Sequence, residues 1–362
     1  MAILDFMPLF IQAGVSFSSD WYYHEAGLSM DENTMTDPAK RLEYKVNAIR
    51  YDERRFPKIF MPSGSPRAES TISPGLGWGV TTLASCLGAR IRFNPKMDPT
   101  AIPQVDIHDI NVFEDIAVPE MHDALAPVFR DVDAYVDMGF RKGQIGLPNL
   151  QGPLNIAFES YGDNQIMSFL GRKNKEDHVK HILGVTSETF MQAHEILRKE
   201  LGRPAQARWT VAGCTYYYLS PRTWKKYIIP VLHECIDRLG PVSLHHCGVA
   251  NAAQLQAYSE ITWQGLEFGF GTDICMARRT ITNEKLGPLN ISCRMSPYRM
   301  LNQNAAQIKA DVEWLIEKGV GGPQRIAVVG CPHGTPDKNI YAMWDTIEAH
   351  NRRKAEEEGE EW

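Results

Sequence analysis

His245 and Cys247, in Leu244-His245-His246-Cys247-Gly248, together with Cys331, in Val328-Val329-Gly330-Cys331-Pro332, are the residues of this 362-residue chain best suited to hold a metal ion. Each follows a short apolar run of β type, where a strand would end. One imidazole nitrogen and two thiolate sulfurs make a zinc ligand set, and three protein ligands leave a tetrahedral ion one position open for chemistry. Adjacent strand residues face opposite ways, so His245 shares a face with Cys247 while His246 points away. Two thiolates and a neutral imidazole bring a zinc centre to zero net charge. A thiol in the fourth position would deprotonate and stay nucleophilic, whereas an ether or hydroxyl oxygen there would be polarised. His-x-Cys is short and common, so spacing alone leaves ordinary core roles open. Placement after strand-like runs favours ligation.

Other residues compete for the site. Cys293, ending Asn290-Ile291-Ser292-Cys293, is a rival sulfur, and Cys275 a weaker one because its segment looks helical. Both rank below Cys331, with a buried thiol as their plainer role. Cys86, Cys214 and Cys235 read as structural, although Cys214 also follows a strand. His333 could reach the site, but a lone loop histidine is more often simply exposed. Glu267 interrupts an apolar strand, where an unpaired carboxylate is costly, so it is expected in the site as a fourth ligand or an acid–base group. Asp273 fits an N-cap. Tyr22 and Tyr216, from Trp21-Tyr22-Tyr23 and Tyr216-Tyr217-Tyr218, are candidate substrate-pocket rings, with core packing as the alternative.

The elements that must position these groups change character along the chain. Residues 1–140 are loop-rich, with helices expected at 37–53 and 119–139, the latter opening on Pro119. From about residue 141 to 350, strands alternate with helices. The strand candidates are Leu154–Phe158, Arg208–Val211, Val242–His245, Gly265–Phe268, Leu289–Ile291 and Ile326–Val329. Helices fit at 175–201, 220–239, 250–259, 297–302 and 304–319, and Ser220-Pro221 caps the second of these. This rhythm predicts an α/β fold of (β/α)8 TIM-barrel type, a single domain with a loop-rich N-terminal segment contributing to barrel and pocket. Active sites of such barrels lie at the C-terminal ends of the strands, where His245, Cys247 and Cys331 all fall. Residues 351–362, rich in acidic side chains, are expected to be a solvated tail.

Composition narrows the function further. Apolar residues make up 43% and charged residues 23%, as in a soluble globular protein. A net charge of −6, with no basic block beyond Arg352-Arg353-Lys354, argues against nucleic-acid binding. Met1–Pro8 lacks a basic n-region and does not read as a signal peptide, and no run has the length of a membrane span. Seven cysteines, an odd number, point to a reducing cytoplasm rather than a disulfide framework. Phosphate-cradling, dinucleotide and nucleophile-elbow motifs are absent.

Three stretches carry a family likeness: Leu219-Ser220-Pro221 with Ile229-Pro230, Val242–Gly248, and Gly330-Cys331-Pro332-His333-Gly334-Thr335-Pro336-Asp337-Lys338-Asn339-Ile340. With Gly152-Pro153-Leu154, they resemble the uroporphyrinogen decarboxylase superfamily, in its branch of zinc-dependent corrinoid and coenzyme M methyltransferases. The resemblance spans roughly residues 145–350 and implies a (β/α)8 barrel with zinc on His245, Cys247 and Cys331. It further implies methyl transfer from a small methylated substrate, for example O-demethylation of a methoxylated aromatic, to the cobalt of a separate corrinoid-binding protein. A thiol alkyltransferase using coenzyme M is the alternative, and a metal-free decarboxylase the next. An Arg-rich N-terminal substrate motif like that of the decarboxylases is not recognisable, and Gly213-Cys214-Thr215 replaces the acidic residue often found before the Ser-Pro helix. A homo-oligomer is compatible with this reading.

Overall fold

Short runs rich in β-branched and apolar residues form strands in the computed structural model, which describes residues 10–282 and 289–359. They are β1 (Gln12–Phe17), β2 (Arg90–Asn94), β3 (Met97–Ile102), β4 (Trp209–Ala212), β5 (Val242–His245), β6 (Trp263–Phe268), β7 (Asn290–Met295) and β8 (Gln324–Cys331). Six of them make one sheet in the order β1-β8-β7-β6-β5-β4, and β2 and β3 pair separately as an antiparallel hairpin. The pairings β1/β8, β8/β7, β7/β6 and β6/β5 are all parallel. The architecture is therefore α/β with a parallel sheet, as the strand–helix rhythm predicts, and the described residues give that sheet six strands rather than eight.

The chain divides into two compact units. One comprises Met1–Trp21, Thr210–Trp224 and Pro241–Trp362, and the other Tyr22–Trp209 and Lys225–Gly240. In the first unit, side chains of the sheet alternate with period two, and the two faces differ sharply. Leu244, Leu266 and Ile291 lie side by side on one face, and Ala13, Ile326, Cys293 and Phe268 form the next row of it. These residues are mostly buried, and the helices Ala305–Gly319 and Asp337–Glu358 bury Ile308, Val312, Leu315, Ile340, Met343 and Ile347. The other face carries His245, Glu267, Ser292, Arg325 and Gln12 in one row, with Arg294, Ala327 and Gly14 in the next. Parallel sheets are usually apolar on both faces, so this polar row marks a working surface.

In the second unit, helices Pro38–Arg55, Ala126–Asp137, Pro153–Tyr161 and Glu176–Glu200 supply the core. Arg41 pairs with Asp131 at 2.6 Å, both nearly buried. Buried Arg198 donates to the carbonyls of Ala205, Ala207 and Leu239, tying the long helix to the segments that follow it.

Several expectations are corrected. Leu154–Phe158 is helical, not a strand, because Pro153 starts a helix whose residues are buried on nearly every side. A short, wholly apolar run does not tell the two apart by its period. The expected 220–239 helix begins at Pro221, capped by Ser220, but opens into a π turn over Trp224–Ile228 before Ile229–Leu239. Pro230 has no N–H to continue the α pattern, which accounts for the wide turn just before it. The acidic tail continues the Asp337–Glu358 helix, and its last three residues lie outside the described residues, as does Met1–Pro8. No described helix is long and apolar enough to cross a membrane.

Two measurements check this account. Arg198→Met should lower the unfolding free energy by about 3 kcal/mol in a denaturant titration, since it strands three carbonyls. Glu159 is held mainly by burial, with Asp163 nearby, at a pKa of about 8 against an ordinary 4.5. A carboxyl raised on folding contributes stability that is present below about pH 4.5 and lost as pH rises through 8. Glu159→Gln should therefore gain melting temperature over wild type on going from pH 5 to pH 9, and an unchanged difference would refute the assignment.

Candidate metal centre

The ends of β4 and β5 bring three donors together. Cys214 follows β4, His245 closes β5, and Cys247 lies two residues beyond. Their ligand atoms all lie within 4.8 Å of one another, with Cys214 Sγ 3.0 Å from Cys247 Sγ and His245 Nε2 3.1 Å from the same sulfur. Zinc bonds of about 2.3 Å to sulfur and about 2.0 Å to nitrogen would span such a set. Backbone pairing holds it: Gly213 N–H donates to the His245 carbonyl and His246 N–H to that of Glu267.

Charge at this point is arranged for thiolate. Bonds from Cys214 and from His245 outweigh burial and hold Cys247 at about 4. Burial pulls His245 down, but its contacts with Cys247 and Glu267 prevail and raise it to about 9. Without metal the pair is thus imidazolium and thiolate. Glu267, beside His245 in register on β6, accepts from His245 Nδ1 and lies 2.6 Å from Arg294 Nε on β7. Burial works to raise Glu267, yet His245 and Arg294 keep it below the ordinary carboxylate range. With Nδ1 engaged by a carboxylate, Nε2 is aimed at the sulfurs.

The expected residues fall in different places. His245 and Cys247 are in the cluster. Cys214, read from sequence as structural, is in it too, and its position after a strand was the one available signal. Cys331 ends β8, buried, its thiol pushed by burial to about 12, and it stands outside the three-donor group. Its carbonyl accepts from Ser18 N–H and Oγ. His246 faces the other way, fully buried among Tyr217, Tyr258 and Phe268. Glu267 orients His245. Tyr216 is buried against Trp224, and the exposed rings of its run are Tyr217 and Tyr218, whose hydroxyls bond at 2.6 Å. Tyr22 belongs to the other unit, where it donates to Asp52. Cys293 is buried on the apolar face, Cys275 bonds the Lys318 carbonyl, Asp273 caps its helix, and exposed His333 donates its N–H to Asp20.

Close backbone approach fixes the loop that carries Cys247. A Cβ on Gly269 would sit 2.6 Å from the Cys247 carbonyl oxygen and 2.8 Å from that of Gly248, and Gly269 N–H donates to the latter. Gly269→Ala must displace this loop, and Glu267→Gln removes the charge that orients His245. Each should weaken zinc binding by about 10- to 100-fold in competition with a chromophoric chelator. Wild-type affinity in both would refute the arrangement.

Comparison with known proteins places the fold. No curated protein matches the chain. A solved methyltransferase from Methanosarcina mazei superposes with a TM-score of 0.64 at 16% identity, covering 96% of this chain and 94% of that one, which is a likeness of fold. The sequence profile of uroporphyrinogen decarboxylase (URO-D) matches residues 75–350, well over half of the sequence, and the chain accordingly belongs to that family.

Proposed function

We propose that this protein is a zinc-dependent methyltransferase that takes a methyl group from a small methylated substrate, such as a methoxylated aromatic, and passes it to the cobalt of a separate corrinoid-binding protein. The observation that carries the reading is the convergence of Cys214, His245 and Cys247 on one point. Two sulfurs and one nitrogen suit zinc, and three protein donors leave a coordination position free. The fold shared with a methyltransferase supports the same direction.

Zinc held there would supply Lewis acidity toward the heteroatom that carries the methyl group. The chain's own residues do the rest. The Glu267 carboxylate accepts a hydrogen bond from His245 Nδ1–H and fixes the ring, and His245 and Arg294 keep Glu267 ionised. Cys247 is a thiolate at neutral pH, so it presents sulfur for ligation without first losing a proton. Tyr217 and Tyr218 offer exposed rings for a flat substrate, while Tyr216 is buried against Trp224. Cys331, which the sequence offers as the second sulfur, would be an alternative or additional ligand.

The test is a metal count followed by turnover. Purified protein should hold about one zinc per chain, and Cys247→Ala should lose it together with demethylation of methoxyarenes in the presence of a reduced corrinoid protein. X-ray absorption on Cys214→Ser and Cys331→Ser assigns the sulfurs by which one lowers the sulfur count. Turnover of a thiol with methylcobalamin, but none of methoxyarenes, would move the assignment to thiol alkylation. Activity without zinc would end it.

A further inference from the structure

The polar face of the sheet carries a guanidinium that no acidic group among the described residues neutralises, and we infer that Arg325 binds the carboxylate of an anionic methylated substrate. The inference rests on the methyl-transfer reading for the word "methylated" and on the sheet itself for the word "anionic".

Arg325 lies on β8, between β1 and β7, where interior strands normally present apolar side chains. It is exposed, and among the described residues it makes no ion pair or side-chain hydrogen bond. Its neighbours on the face are His245, Glu267, Ser292 and Gln12 in its own row, with Arg294, Ala327 and Gly14 in the next. The single carboxylate among them, Glu267, is taken by Arg294 and His245. Arg325 is therefore a surplus positive charge on the surface that carries the imidazole of the metal centre.

Two further features show that the position is built. A Cβ on Gly14 would lie 2.8 Å from Arg325 Nη2, 3.3 Å from its Nε and 3.1 Å from the Ala327 Cβ. The guanidinium thus lies across β1 at the one residue with no side chain, over a floor of glycine and alanine. Between Glu267 and Arg325 in the row sits Ser292, whose buried Oγ has no partner among the described residues. A guanidinium fork matches a planar carboxylate with two parallel hydrogen bonds, and one uncompensated charge matches a monoanion. A phosphate dianion would call for a second free cation, and Arg294 is already engaged.

The experiment compares acids with their neutral amides. Methoxybenzoate and methoxyacetate are titrated calorimetrically at pH 7 into the zinc-loaded full chain, each beside the corresponding amide. Wild type should prefer the acid by about tenfold or more, the scale of one charge-assisted hydrogen-bonded pair. Arg325→Gln should abolish that preference while leaving amide binding as it was, and Arg325→Lys should restore part of it. Gly14→Ala, which crowds the guanidinium without removing it, should also reduce the preference. Equal affinity of acid and amide, equal loss of both in Arg325→Gln, failure of both acids to bind, or a preference for methanesulfonate over the acids would each overturn the proposal. Methyl transfer is measured on the same samples. Discrimination without transfer would leave the anion site standing and sink the methyltransferase reading, whereas transfer without discrimination would do the reverse.

Discussion

The centre depends on one carboxylate, Glu267, which lies between an imidazole on one neighbouring strand and a guanidinium on the other. Placing a carboxylate inside a sheet is expensive, and here a hydrogen bond from His245 on β5 and an ion pair with Arg294 on β7 offset the cost. The arrangement works in one direction only. Arg294 keeps Glu267 charged, charged Glu267 holds the Nδ1 proton of His245, and the held ring turns Nε2 toward Cys247. Removing any of the three leaves a buried charge or an unaimed ring, so the donor geometry is a property of the sheet more than of the ligands.

The sheet can provide this because its two faces are kept apart. Leu244, Leu266 and Ile291 are buried on one face, while His245, Glu267 and Ser292, one residue further along each strand, lie on the other. The apolar side supplies the burial that stabilises the unit, roughly 1.5–3 kcal/mol for each fully buried aliphatic side chain. The polar side is thereby free to carry groups that contribute nothing to packing. The loops after β4 and β5 then need little length of their own, and Gly269 locks the second against the end of β6.

Much of this was legible in the sequence and some was not. Period-two alternation picked His245 over His246, and the structure turns those rings to opposite sides. The strand–helix rhythm after Arg208 gave β4 to β8 within a few residues, and the family resemblance is matched by the URO-D profile. Glu267 stands out in the sequence as a carboxylate in an apolar strand, but its partners do not, because which residues stand side by side in a parallel sheet is set by register between segments far apart in the chain. Cys214 is inconspicuous for the same reason: no neighbouring ligand in sequence announces it, and the fold supplies one in Cys247. Leu154–Phe158 misled because a short buried run looks alike in either conformation.

The adjacent histidines of β5 have a consequence for how the strand finds its place. If β5 slipped by one residue against β6, His246 would take the outward position, and the face would still show an imidazole. Cys247, however, would turn to the opposite face with its thiolate, and the imidazole beside Glu267 would be left without its sulfur. Two residues of separation between nitrogen and sulfur thus act as a parity check. An imidazole beside a carboxylate survives misalignment, but an imidazole with its thiolate two residues on marks the correct alignment and no other.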